Sequence, residues 1–254
     1  MAAIRCDFFS EVLEVGTSIT VLLPQATEEQ IGVAEAVSRT GDFPVLYLLH
    51  GLSDDSTAWQ RYTSIERYAA PLGLAVVMPQ VQRSFYANEV HGGSYWSFLS
   101  EELPSVVRSF FRISDRAEDT FVAGLSMGGY GAFKWALRHP DRFAAAASLS
   151  GGLDLAALSQ VDWRKGLFER VFDGPVGADD DLFALLERAD ATAVPPLYLG
   201  CGTEDHLFEG NQRFLEAATA AGLDVHVDFR PGEHEWGLWD ATIRDVLAWL
   251  PLDR

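Results

Sequence analysis

Cysteine is scarce: Cys6 and Cys201 are the only two in 254 residues. They lie far apart with no secretion signal beside them, so they are expected to be free thiols in a reducing, cytoplasmic setting. No run approaches the roughly 20 apolar residues that a membrane-spanning helix needs. Met1 to Leu13 carries Arg5, Asp7 and Glu11 and no long apolar stretch, so it is not expected to act as a signal peptide. Basic residues are outnumbered, 19 Lys and Arg against 37 Asp and Glu, giving a formal charge of −18. That balance argues against nucleic acid or an anionic membrane as partner, and its ordinary meaning is solubility. Repeats and low-complexity tracts are absent. No G-x-x-x-x-G-K-S/T or G-x-G-x-x-G follows a strand-like run, which argues against phosphoryl-transfer and nicotinamide chemistry. His234-Glu235 lacks the second helical histidine of a zinc protease.

What is present is a large apolar fraction, 48% of residues, enough for one sizeable core. Strand-like runs fall at Ile19–Leu23, Val45–Leu49, Ala75–Met78, Thr120–Ala123, Ala145–Leu149, Leu197–Leu199 and Val225–Phe229. Helix-like segments separate most of them. Thr63-Ser64-Ile65-Glu66 has the pattern of a capping box ahead of an apolar stripe. Phe98–Phe111 is expected to be a helix bent at Pro104. Met127–Arg138, Gly210–Ala221 and Trp239–Leu250 complete the helices. Alternation of strand and helix implies an α/β chain: a mostly parallel sheet covered on both faces. Ala26–Gly41 is expected to be a polar loop. Residues 151–196 are an insertion between two strands. Its Asp179-Asp180-Asp181 run is expected to start the helix Leu182–Arg188 rather than to hold a metal.

Between the run at Thr120–Ala123 and the helix from Met127 stands Gly124-Leu125-Ser126-Met127-Gly128, the G-x-S-x-G nucleophile-elbow pattern. A serine hydroxyl attacks well only when a base takes its proton and the backbone presents it clear of its neighbours. A tight strand-to-helix turn does the second, and its glycines avoid a Cβ collision. The base and the group that orients it should follow in the order acid, then histidine. Glu204 and Asp205, after the strand at Leu197–Leu199, compete for the acid role. His234, after the strand at Val225–Phe229, is the base candidate. Each sits at a strand's C-terminal end, where open α/β sheets bind ligands. The oxyanion of an attacked ester needs prepositioned N–H donors. Met127, the residue after the serine, is expected to supply one. Leu52, in the loop His50-Gly51-Leu52 after the strand Val45–Leu49, is expected to supply the other. His50 is expected to position that loop rather than to carry protons. Trp59, Tyr86, Trp96, Phe168 and Trp236, with Phe85, are aromatic candidates for the substrate pocket, Trp236 first among them.

Several stretches together resemble the esterase family that includes esterase D, S-formylglutathione hydrolase and bacterial tributyrin esterases. They are Tyr47 to Leu52, Val76 to Pro79, Glu101 to Pro104, Phe121 to Gly131, Cys201 to Asp205 and His234 to Trp236, and they span most of the chain. The similarity is greatest to the tributyrin-esterase branch. The resemblance implies an α/β-hydrolase fold, no cofactor, a Ser126–His234–Asp205 triad with Asp205 preferred to Glu204, and hydrolysis of short-chain acyl esters. One departure is that the formylglutathione hydrolases carry a cysteine in the oxyanion loop, whereas this loop reads Ser53-Asp54-Asp55 after Leu52. A thioesterase acting on S-formylglutathione is the alternative, and an acyltransferase a third. The partner implied is a small-molecule ester. A homo-oligomer is compatible with the sequence, and the insertion 151–196 is a candidate partial lid.

Overall fold

The structure, a computed structural model, describes residues 1–26 and 41–252. Eight strands form one sheet: β1 (Ala2–Ser10), β2 (Val15–Leu23), β3 (Val45–Leu49), β4 (Ala75–Pro79), β5 (Thr120–Leu125), β6 (Ala145–Leu149), β7 (Leu197–Gly202) and β8 (Val225–Arg230). Their spatial order is β1-β2-β4-β3-β5-β6-β7-β8. β2 is antiparallel to β1 and β4, and every pairing from β4 through β8 is parallel. The helices are α1 (Ala58–Tyr62), α2 (Ile65–Ala69), α3 (Tyr95–Ser97), α4 (Leu103–Phe110), α5 (Met127–Arg138), α6 (Leu155–Ser159), α7 (Lys165–Phe172), α8 (Leu182–Glu187), α9 (Phe208–Ala220) and α10 (Trp236–Trp249). This is the α/β-hydrolase fold. No helix among the described residues is long and apolar enough to cross a membrane.

The central strands are apolar throughout because both faces are covered. In β3, Val45, Tyr47 and Leu49 pack with Tyr130 and Phe133 of α5 and Phe214 of α9. The alternate residues Leu46 and Leu48 pack on the opposite face with Ile65 of α2 and Ile243 of α10. The sheet is therefore a two-sided wall whose parallel strands deliver their C-terminal ends to one rim.

Strand β1 escapes the sequence reading, which places no strand before Ile19. Its alternation is shallow: Ile4, Cys6 and Phe8 are only half-buried, and Phe9 on the opposite face is exposed. An edge strand with one poorly covered face carries little apolar contrast. The expected loop at Ala26–Gly41 lies, but for its ends, outside the described residues. Around Pro104 the chain is not one bent helix. A π-helical turn at Phe98–Glu102, in which the Leu103 N–H reaches the Phe98 carbonyl, joins α3 to α4. Pro104 then sits in the first turn of α4, where its missing N–H costs little. The expected capping box also differs. Ser64 is the N-cap of α2, the Thr63 hydroxyl accepts from the Ile65 N–H, and Glu66 accepts from Gln60. Asp181 does cap α8, accepting from the Phe183 N–H at 3.0 Å. Asp179 and Asp180 turn to Arg188 and Lys134 instead.

The first turn of α5 lies hard against two strand ends. A Cβ on Gly124 would fall 2.4 Å from the Gly128 carbonyl, and a Cβ on Gly128 would fall 2.3 Å from the Leu49 carbonyl oxygen. These obstacles are backbone and cannot rotate away. Gly128→Ala should therefore destabilise the protein by roughly 2 kcal/mol or more, the scale of an overpacked core, as measured by urea unfolding. A loss below about 0.5 kcal/mol, the range of a neutral surface change, would mean that the turn has room to spare.

Candidate active site

Ser126 occupies the single residue between β5 and α5, at φ 52° and ψ −116°. That conformation is strained for a residue with a Cβ. The surrounding backbone holds it in place. The Ser126 N–H donates to the Leu149 carbonyl at 2.9 Å, and its carbonyl accepts from the Gly152 N–H at 3.0 Å and the Tyr130 N–H at 3.2 Å. The side chain is thereby raised above the rim of the sheet.

His234 lies in the loop between β8 and α10. Its Nε2 is 3.1 Å from Ser126 Oγ and its Nδ1 is 2.7 Å from Asp205 Oδ2. The Trp239 ring packs edge-on against the imidazole, centroids 4.8 Å apart. The next residue, Glu235, caps α10 by accepting from the Gly237 and Leu238 N–H groups, both at 2.9 Å. That cap fixes where the loop meets the helix.

Asp205 follows β7, with its side chain fully buried. Burial alone would raise its carboxyl. The hydrogen bond and charge of His234, with the Leu207 N–H, outweigh burial and hold it below the usual carboxylate range. The rival carboxylate is spoken for: Glu204 accepts from the Gly232 N–H, pinning the histidine loop from below. So Asp205, and not Glu204, meets His234. His206 stands beside them, its ring 4.7 Å from that of His234 and its Nδ1 3.4 Å from Asp205 Oδ1. Asp205, His206 and His234 offer ligand atoms within 4.8 Å of one another. A metal ion there would have to displace the Asp205–His234 bond. Cys201, at the end of β7, is inert, because burial and the charge of Asp205 push its thiol up to about 12.

A cavity of about 690 Å³ opens over Ser126. Gly51 and Leu52 line one side. Leu52 follows the tight turn in which the Gly51 N–H donates to Asp54 Oδ2 at 3.2 Å. Met127 opens α5, and its N–H is one of the orphan donors of a helix N-terminus. Below the loop, His50 is buried and burial pushes its pKa down, so it is neutral. Its Nδ1 donates to the Gly51 carbonyl at 2.7 Å while its Nε2 accepts from the Val81 N–H at 3.2 Å. It is a strut for the loop, as the sequence suggests.

A sequence model of the family described as Putative esterase matches residues 10–250. The chain belongs to that family, and it is a hydrolase. An acetyl esterase from Caldicellulosiruptor saccharolyticus is 28% identical, with 98% of this chain and 98% of that protein covered. Among solved structures, the fluorophosphonate-binding serine hydrolase FphF of Staphylococcus aureus is 33% identical, covers 99% of both chains and superposes with a TM-score of 0.88. The S-formylglutathione hydrolase FrmB of the same organism is 34% identical, with 98% of both chains covered and a TM-score of 0.84.

In this esterase-family chain only one of the five aromatic pocket candidates lines the cavity, and it is Trp236. The other four are core residues. Trp59 is buried with its Nε1 donating to the Leu49 carbonyl at 3.0 Å. Tyr86 lies under the Leu52 loop, its hydroxyl donating to the His50 carbonyl at 2.9 Å. Trp96 stacks on His139 and lies under Lys134 and Arg138. Phe168 packs against Phe85 and Phe172. Large aromatic surfaces gain most by full burial, and that won in each case. Cavity residues not expected from sequence include Trp239, His206, Arg83, Trp163 and Arg164, with Ser53, Asp54, Leu125 and Glu235. Trp239 was within reach of inference, since it lies three residues from Trp236 on the same helix face. From the insertion 151–196, Trp163 and Arg164 reach the cavity.

The depressed Asp205 pKa has a sign for stability. A carboxyl that holds its charge more firmly when folded binds fewer protons than the unfolded chain does. Its contribution is complete above the ordinary value of about 3.9 and is lost as pH falls through the lower folded value. Asp205→Asn should therefore flatten the fall in unfolding free energy below about pH 4. Parallel acid limbs in the two proteins, by urea titration at stepped pH, would refute the linkage.

Proposed function

We propose that the protein is a serine carboxylesterase that hydrolyses short-chain acyl esters, acetyl to butyryl, through an acyl-enzyme on Ser126. The observation that carries this is the hydrogen-bonded line from buried Asp205 through His234 to Ser126 Oγ, at 2.7 and 3.1 Å, with Ser126 and His234 lining one cavity. His234 Nε2 takes the Ser126 proton as Oγ bonds to the ester carbonyl carbon. The carbonyl oxygen becomes an oxyanion facing the N–H groups of Leu52 and Met127. As the tetrahedral intermediate collapses, the ester C–O bond breaks and His234 gives the proton to the leaving alcohol. Water then repeats the sequence on the acyl-enzyme, releasing the acid and restoring the Ser126 hydroxyl. Asp205 holds the imidazole in the tautomer with hydrogen on Nδ1 and stabilises its cation.

The acetyl esterase relative supports a short acyl group. A thioester leaving group is the second reading, supported by the 34% identical S-formylglutathione hydrolase. The two share all of the machinery above and differ only in substrate kinetics. The insertion 151–196 serves as a partial lid through Trp163 and Arg164. A cytoplasmic setting belongs to the same proposal, supported by the free thiols of Cys6 and Cys201.

Ser126→Ala should lower turnover of p-nitrophenyl acetate by about 10⁴-fold or more, the scale set by removing such a nucleophile, with an unchanged melting curve. Wild-type turnover in that variant would sink the proposal. On p-nitrophenyl esters of increasing length, kcat/KM should fall steeply beyond butyrate, because Trp236, Trp239, Leu125 and Leu52 wall the cavity. Equal rates on acetate and palmitate would rule out a short acyl site.

A further inference from the structure

Four charged side chains other than the histidines line the cavity: Asp54, Arg83, Arg164 and Glu235. The two carboxylates are engaged locally, Asp54 by the Gly51 N–H and Glu235 by the first turn of α10. The two arginines are not. Among the described residues neither guanidinium has a carboxylate or hydrogen-bond acceptor, and Arg164 Nε is buried without a partner. Among the described residues Arg108 and Arg112 also lack a carboxylate, but neither lines this cavity, in a chain with 37 acidic residues against 19 basic ones. The neighbouring Arg170 also has a buried Nε without a partner, yet its guanidinium reaches a carboxylate. It pairs with Glu89 at 2.9 Å.

Both arginines line the same cavity. Burial, and then the like charge of Arg83, destabilise the charged form of Arg164. Arg170 holds the Arg83 segment by donating to the Arg83 carbonyl at 3.1 Å. Two cations held near each other without counterions cost free energy unless an anion enters between them. Arg164 acts electrostatically on His206, whose ring lies 4.7 Å from that of His234. The acyl group proposed above is a short, uncharged chain, so an anion held by the arginines belongs to the leaving group. Trp163, 66% exposed at the mouth, lies under the Arg164 guanidinium at 4.5 Å and offers an aromatic face there.

We infer that Arg83 and Arg164 form an anion-recognition wall that selects ester or thioester substrates whose leaving group carries a carboxylate or phosphate. In its catalytic form this rests on the esterase reading above; in its binding form it does not. Guanidinium forks suit both anions, since each offers paired oxygens at the right spacing.

The test compares 4-acetoxybenzoate with its neutral methyl ester, methyl 4-acetoxybenzoate, each rate normalised to hydroxide-catalysed hydrolysis. Wild type should favour the anionic ester by about tenfold or more, the scale of one charge-assisted hydrogen bond, and less so as salt is raised. In the Arg83→Gln, Arg164→Gln double variant the ratio should collapse toward unity. A second arm titrates 4-hydroxybenzoate and methyl 4-hydroxybenzoate by calorimetry into wild type and the double variant. The anion should bind more tightly only while the arginines are present. If both esters are turned over with the same ratio in both proteins, and binding does not discriminate, the inference fails and the esterase reading survives. If neither ester is turned over but the arginines still select the anion in calorimetry, the esterase reading fails and the wall stands.

Discussion

The rest of the site depends on how closely the first turn of α5 approaches the ends of β3 and β5. Gly124 and Gly128 touch backbone to backbone, and Gly128 also presses on the Leu49 carbonyl. No side chain fits between them, so the strand must end and the helix begin within one residue. That residue is Ser126, and its backbone bonds to Leu149 and Gly152 tie the turn to the next strand as well. Because the constraint is made of main-chain contacts, it holds the hydroxyl at the rim whichever substrate enters. The parallel sheet then supplies Asp205 and His234 to the same rim, because β7 and β8 end beside it.

That explains which parts of the site could be seen in the sequence. Ser126 and Asp205 were legible because they follow the buried strands β5 and β7, and His234 because it follows β8 at the edge of the same sheet; strand ends in a parallel sheet converge whatever lies between them. The choice between Asp205 and Glu204 was not legible from the residues themselves. Adjacent carboxylates point in different directions, and only the Gly232 N–H shows why Glu204 turns away. The pocket was mostly illegible. Trp59, Tyr86, Trp96 and Phe168 have the same composition as a binding surface, yet each is buried in the core. Arg83 and Trp163 come from two segments that meet only in the folded chain. Strand β1 was hidden for a different reason, since an edge strand needs only a weak apolar alternation to pair.

Beneath the loop that carries Leu52 lies a buried polar chain that no motif announces. Lys134 is fully buried on α5, and burial pushes its pKa down to about 8. Its ammonium donates to the Tyr86 carbonyl at 2.8 Å and pairs with Asp180 of the insertion. Tyr86 in turn donates to the His50 carbonyl, and His50 bonds to the Gly51 carbonyl and the Val81 N–H. A network of this kind is stable only when every member is satisfied. It links the helix that begins just after the nucleophile to the loop on the opposite side of the cavity. The spacing between Leu52 and Met127 is thus set from inside the protein.

The backbone strain falls in the same place. Among the described residues, non-glycine positive φ angles occur at Phe85, Tyr86, Ser126 and Ser150, besides Glu14, Gln82 and Asp173. Ser126 and Ser150 end adjacent strands at the rim, and Tyr86 supports the Leu52 loop. Each such residue costs on the order of 1–3 kcal/mol and persists only where its surroundings over-determine it. Here the surroundings are the two-sided core of the sheet, which is insensitive to what happens at its rim. The sheet can carry that strain because its stability comes from apolar burial on both faces, away from the residues that are strained. A site assembled instead on exposed loops would relax the Ser126 turn and lose the alignment of its hydroxyl with His234.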